Sequence, residues 1–539
     1  MMRPVSDVDT LREELKARGY LSHGIERWFA LDPWSSRAFW LELATVALKA
    51  ATLIAAFGAL PLTAVMLFRN YPLRALETLE LFATYAAAWL ALAFAFVVLV
   101  ALILKVRPAL PIDTPRALLA ISLVASALLV APVAAWWYAF DTSPPLPELA
   151  TGVALMAVFF LVSTIVVSAA LLSFSIYELR RVPAIHAKPR GVPMAIAAIV
   201  LIAMLFVPAY VDRDRVTAEP MVVTTPTSTR VALIAVDGLT YEILQSRPDL
   251  VRIAPRAARV PTLPADSTAE RWASLGTGVR TDAHEVRAIE GIRFVGTTHI
   301  LQRISHADFV LQHVAPALRI ARREPLPPTV RRRDYVWEIV TARGLPGISV
   351  NWWATSDAKD GALQAVGPES VFTAAKGDAL RVDATATSRF LALLDERKPR
   401  FATVYLPALD VVLNRLELDQ STKLAQSLRA LEGLGNTIAL VRARGYDVVL
   451  AGMPGDGQSG NAVIASTLPL QRATTAFDVA PTLLEILGFP LSNEMPGRSL
   501  LSERSEPRID SYGNRTATTT APQVNDEYYE QLKSLGYIR

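Results

Sequence analysis

The strongest constraint on this chain is a set of apolar runs between residues 41 and 211. Five segments, near 50–68, 79–104, 117–140, 150–176 and 193–211, are apolar over the roughly 20 residues that a bilayer crossing takes. A chain carrying them cannot fold around one water-soluble core, so it must divide. The 539 residues are 52% hydrophobic and 19% charged, and the apolar excess sits in this half. Charges gather at segment ends. Lys49 lies at the edge of the first, where its stem can snorkel, and Pro61 and Pro132 are tolerable kinks. No span shows paired intramembrane charges, which gives a transporter or proton relay little support and makes the bundle an anchor.

Lys and Arg counts set the expected orientation. The N-terminal segment (Arg3, Arg12, Lys16, Arg18, Arg27, Arg37), the second connection (Lys105, Arg107, Arg116) and the fourth (Arg180, Arg181, Lys188, Arg190) carry thirteen. The first connection has only Arg69 and Arg74, and the third has none. The thirteen-side is therefore cytoplasmic, and five crossings put everything after Tyr210 outside. The expected protein is multi-pass in the inner (plasma) membrane, with a cytoplasmic N-terminus and a periplasmic or extracellular C-terminal domain. Trp136, Trp137 and Tyr138 would then form an outer interfacial belt. Residues 1–40 are too charged for a cleavable signal peptide, and within them 6–31 read as an amphipathic stretch on the inner surface.

A polar linker, 212–229, leads from the bundle (41–211) into VALIAVDG, Val231–Gly238. An unbroken apolar run ending in Asp-Gly reads as a strand of a parallel sheet buried on both faces, with Asp237 where open α/β sheets place ligands. Further strand candidates are 347–353, 401–410, 446–452 and 462–466, with helical patterns at 383–396, 420–443 and 478–488. Alternation of this kind predicts a doubly wound α/β domain. There is no cysteine for a disulfide, and a net charge of +4 gives no support for nucleic-acid binding.

VALIAVDG, STAERWASLGTGVRTDAHEV, NWWATSDAKDG, YLPALDVV and FDVAPTLLEILGFPLSNEMPGRSL follow one another in an order that resembles the alkaline phosphatase-like superfamily, in its type I phosphodiesterase/nucleotide pyrophosphatase branch. The closing motif (Asp478, Pro481, Thr482, Gly488, Pro490, Met495, Gly497) is the most telling part, and the tail, 506–539, ends in a similar way. The resemblance implies an alkaline phosphatase-like domain over 230–505. It also implies two zinc-like metals that activate a hydroxyl nucleophile and neutralise phosphate charge. Matched residue by residue, Asp237 is a metal ligand and Thr268 the nucleophile, with Ser267 as the alternative one position earlier. Asp410 is a second metal ligand, and His284 (the histidine after the Thr277–Gly278 pair), Asn351, Trp352, Trp353 and Asn414 fall at the substrate pocket, although Trp352 and Trp353 read as readily as aromatic packing at a strand end.

The departures are equally specific. Asn414 stands where the resemblance implies a histidine, four residues after Asp410. Ala451, Gly452, Met453 and Pro454 stand where it implies Ser-Asp-His-Gly, and Gly457–Gly460 offers no last histidine. The six histidines, His23, His186, His284, His299, His306 and His313, all precede residue 314, and no thiolate can replace them. Asp456 is a weak substitute oxygen ligand and reads more readily as a turn residue. Within a stretch expected to insert as a cap, 286–335, Arg319, Arg322, Arg323 and Arg331–Arg333 are either a solvated basic loop or a contact for anionic headgroups.

The sequence therefore predicts a membrane-anchored, degenerate hydrolase that acts as a binding or scaffolding module. Its expected partners are membrane lipids, a phosphorylated glycan or lipid, or another protein, and not nucleic acid, and no cofactor is expected. The alternative is an active phosphodiesterase or headgroup transferase that uses Thr268 with a remodelled site for zinc or another divalent metal.

Overall fold

A computed structural model describes residues 37–70, 73–106, 115–140, 144–175, 192–207, 218–219, 229–253, 256–297, 299–359, 361–501, 508–515 and 525–538, with Thr10 and Ala17. The amphipathic reading of 6–31 and most of the linker lie outside these. The chain divides into two compact units, one of 1–212 with 293–322 and the other of 213–292 with 323–539.

The first unit is helical: α1 (Arg37–Arg69), α2 (Ala75–Val106), α3 (Pro115–Phe140), α4 (Leu146–Ser175) and α5 (Val192–Leu205). Among the described residues four are long and apolar enough to cross a membrane, where the sequence predicts five; of the fifth segment, near 193–211, the described part holds a helix of 14 residues, and 208–211 lie outside the described residues. The candidate span of α1 is the most enclosed. Its Gly58 admits the rings of Trp89 and Phe159, where a Cβ would come within 3.0–3.1 Å of them, so the small residue lets the helices approach. At one end Arg69 and Glu148 form a buried ion pair (2.8 Å), and Trp137 Nε1 donates to the same carboxylate (3.0 Å). Trp136 and Trp137 are thus buried in the bundle, and only Tyr138 of the expected belt is open, at 72% exposure. Residues 293–322 join these helices, although the sequence reads them as part of a cap. Asn70, Tyr85 and Trp136 hold them there through hydrogen bonds.

In the second unit, β1 (Val231–Asp237) is fully buried and central. In chain order follow β2 (Ala258–Val260), then β3 (Glu290–Phe294) and β4 (Ala321–Pro325), each of which runs partly into 293–322, then β5 (Gly347–Val350), β6 (Leu363–Val366), β7 (Phe401–Leu406), β8 (Asp447–Met453) and β9 (Ala462–Ser466). The main sheet has the order β2-β9-β8-β1-β7-β5-β6, with β9 antiparallel to β8 and β2 antiparallel to β9. The register pairs Val236 with Leu406 on one side and with Gly452 on the other, so three strand ends reach the same edge. Helices Ala379–Arg397 and Gln420–Ala443 pack their apolar positions onto this sheet.

The closing motif locks that edge from outside. Asp478 accepts from the N–H groups of Thr474 and Thr475 with one oxygen and of Arg498 with the other. Gly278 ends helix Thr268–Thr277 in the left-handed conformation (φ 75°), and a Cβ there would lie 2.7 Å from Ala480. The Thr-Gly pair is needed for that close approach.

Candidate functional site

Asp237 ends β1 with no solvent exposure. Tyr405, on the neighbouring β7, donates its hydroxyl to Oδ2 (2.9 Å), while Oδ1 has no hydrogen-bond partner. Burial, reinforced by the charge of Asp410, pushes its pKa up to about 7 against the pull of Arg415 and Arg271. Gly238 then turns the chain at φ 82°, and a Cβ there would stand 2.6 Å from the backbone nitrogen of Asp410. The Asp-Gly pair brings the two carboxylate-bearing segments together.

Ser267 and Thr268 begin the helix that follows. Ser267 is its N-cap, and its hydroxyl accepts from Glu270 N–H (3.1 Å), so this side chain is committed to the helix end. Thr268, in the first turn, is 3% exposed, and its Oγ1 accepts from Arg415 Nη2 (2.9 Å).

Arg415 is the group at the centre, and no sequence motif pointed to it. Five residues after Asp410, on the π-helical turn Val411–Arg415, its Nε donates to Asp410 Oδ2 (2.5 Å). Nη1 lies 3.5 Å from Asp456 Oδ2, and the guanidinium sits 4.2 Å over the ring of Tyr537. Burial alone would lower its pKa; Tyr537, Asp410 and Asp237 outweigh that and raise it. The guanidinium remains charged.

The other oxygen of Asp410 is also taken, by Asn414 Nδ2 (2.8 Å) and the N–H of Asp456 (2.9 Å). Gly455 allows this fit, since a Cβ would collide with Asp410 Oδ1. Asp456 itself is 66% exposed. Asp237, Thr268, Asp410, Asn414 and Asp456 therefore all gather around or beside one guanidinium.

The remaining expected residues serve the core. His284 accepts from Val286 N–H at Nδ1 (3.1 Å), so Nε2–H faces Ser274 Oγ (2.9 Å), and burial holds its pKa down to about 3. Trp352 donates to Thr403 Oγ1 (2.9 Å) among the rings of Trp272, Trp337 and Tyr405. Asn351 adopts φ 65° and donates to Tyr405 O (3.0 Å). Trp353 packs on Tyr537 (5.2 Å), the tail residue that also covers Arg415, and lines a neighbouring cavity of about 360 Å³. Pro325, Pro327, Asp357, Glu369 and Tyr528 help to line it, and among the described residues of its lining there is no Lys, Arg or His. The arginines of the basic stretch are largely paired, Arg331 with Glu338, Arg332 with Glu285 and Arg333 with Glu494.

The donor set can be tested against the metals that the resemblance implies. Among the described residues no three His, Asp or Glu side chains stand together as a metal site. Both oxygens of Asp410 are hydrogen-bonded, and a cationic guanidinium already lies against it. Zinc favours imidazole or thiolate donors, and neither is present here. The residues do not fit a two-metal centre.

The fold is that of an alkaline phosphatase-like mixed α/β domain. Residues 231–453, less than half of the chain, match the family model described as Type I phosphodiesterase / nucleotide pyrophosphatase. No curated protein matches the sequence. Among solved structures, the chain is similar to murine ectonucleotide pyrophosphatase / phosphodiesterase 5, inactive and in complex with AMP (13% identity, TM-score 0.31). That match covers 42% of this chain and 57% of that one. It is also similar to phosphonoacetate hydrolase from Sinorhizobium meliloti in complex with phosphonoacetate (11%, TM-score 0.30), over 43% and 60% of the two chains. The human counterpart of the murine protein matches at 14% with TM-score 0.30, again over 57% of its length. Each of these three matches spans less than two thirds of the other chain.

Proposed function

We propose that the α/β domain is a non-hydrolytic binding or scaffolding module, held at a membrane by α1–α4 and facing the non-cytoplasmic side. The observation that carries this reading is Arg415. Its guanidinium satisfies Asp410 and Thr268 at once, and these are the carboxylate and hydroxyl that a metal-dependent hydrolase of this kind would present to its metals and its phosphate. A fixed cation with a raised pKa supplies the positive charge, but it lowers no hydroxyl pKa as a metal does and has no open position for water or a phosphoryl oxygen. Ligand recognition then falls to the neighbouring cavity, which offers proline and aromatic walls and carboxylates. That lining suits a glycan or a segment of a partner protein better than a phosphate.

The alternative, a hydrolase or transferase with a remodelled site, has one observation in its favour: the buried, unpartnered Oδ1 of Asp237. Hydrolysis of bis(p-nitrophenyl) phosphate by the full-length protein with added zinc, manganese or magnesium separates the two. The module shows no turnover above a Thr268→Ala control. Metal-dependent turnover that Thr268→Ala abolishes would establish the hydrolase.

A further inference from the structure

The residues that join the helical unit, 293–322, are tied to it by hydrogen bonds. Asn70 Oδ1 accepts from the N–H groups of both Gln302 and Arg303 (2.8 Å each), and its Nδ2 donates to Arg303 O (2.7 Å). Tyr85 donates to Asp308 Oδ2 (2.5 Å), and both side chains are buried. Ser305 reaches Trp136 O (3.4 Å). Tyr85 lies in α2, five residues beyond Glu80, which is about 7 Å along the helix into its apolar run. Asp308 meets it there.

Irregular backbone at membrane depth is tolerated only where protein satisfies its polar groups, and Asn70 does so for residues 302 and 303. The same segment leaves large apolar side chains open. Phe309 is 67% exposed, Leu318 65%, Val295 57% and Ile320 40%, with Val295 N bonded to Ile320 O. Beside them Arg319 and Arg322 are exposed, and the segment holds four arginines against one acid.

We infer that residues 299–322 form a re-entrant segment whose exposed face meets lipid, Phe309 and Leu318 against acyl chains and Arg319 and Arg322 at anionic headgroups. Arginine at this level suits phosphate because its stem lies along apolar surface while its head reaches the polar layer. The inference rests on the reading of α1–α4 as membrane spans.

The chain has no cysteine, so single-cysteine variants of the full-length protein can each carry one fluorophore. Phe309→Cys and Leu318→Cys are compared in vesicles of phosphatidylglycerol and brominated phosphatidylcholine with Leu92→Cys, exposed on α2, and Glu396→Cys, exposed on the α/β domain. The inference expects labels at 309 and 318 to be quenched by bromolipid as the label at 92 is, while the label at 396 is not. Quenching at 92 without quenching at 309 and 318 would overturn the re-entrant segment alone. Absence of quenching at 92 as well would overturn the spans beneath it.

Discussion

Replacing Arg415 by leucine strikes the centre of the account. Asp410 is fully buried, and the Arg415 side chain is 5% exposed. Removing one partner of such a pair leaves an uncompensated buried charge, which costs about 3–5 kcal/mol. The lost contact over Tyr537 adds up to about 2 kcal/mol for a desolvated cation–π pair. For a domain of this size each kcal/mol moves the melting midpoint by about 2 °C, so Arg415→Leu should melt roughly 6–14 °C below the parent. Intrinsic fluorescence of the full-length protein in detergent follows this, since Trp352 and Trp353 lie in the affected core. The double variant Arg415→Leu/Asp410→Asn removes the stranded charge and should recover at least half of the loss. An unchanged midpoint for Arg415→Leu, or a double variant whose loss is the plain sum of the two singles, would refute the reasoning.

Two titrations oppose each other. Asp237, with its pKa raised to about 7, contributes stability that is present below pH 4 and is lost as pH rises through 7. His284, lowered to about 3, contributes stability that is present above pH 6.5 and is lost as pH falls through 3. Relative to the parent, Asp237→Asn should therefore lack one contribution that falls between about pH 4 and 7, and His284→Gln one that rises between about pH 3 and 6.5, as read from the difference in denaturant midpoints. Gly238→Ala should lose about 1–3 kcal/mol, from the positive φ and the collision with the Asp410 backbone, in the same denaturation assay. Trp352→Phe removes the Thr403 hydrogen bond from a full core, and should cost about 1 kcal/mol without altering any ligand binding.

The main sheet was largely legible because its strands are short apolar runs bounded by breakers. The run at 462–466 became β9 residue for residue, and 446–452 and 401–410 became β8 and β7 with shifts at their ends. Helices at 420–443 and near 383–396 were equally plain from their periodicity. Asp237 and Asp410 could be placed because a strand end and a turn fix them. Arg415 could not, because its reach to Thr268 depends on a π-helical turn and on packing against Tyr537, more than a hundred residues later. The signal was its position, one residue beyond the Asn that replaces a histidine. Of the fifth apolar segment the described part holds the 14-residue helix Val192–Leu205, and 208–211 lie outside the described residues. The docking of 293–322 onto the helices was invisible because it depends on the side chains of Asn70 and Tyr85, far away in sequence.

Metal content shows whether the centre around Arg415 holds a metal. The full-length protein, purified in detergent, equilibrated with excess zinc and then desalted, is analysed for zinc, manganese, magnesium and calcium beside Asp237→Asn. The account predicts well under one metal per chain in both. One or more metals per chain in the parent, lost in Asp237→Asn, would contradict it.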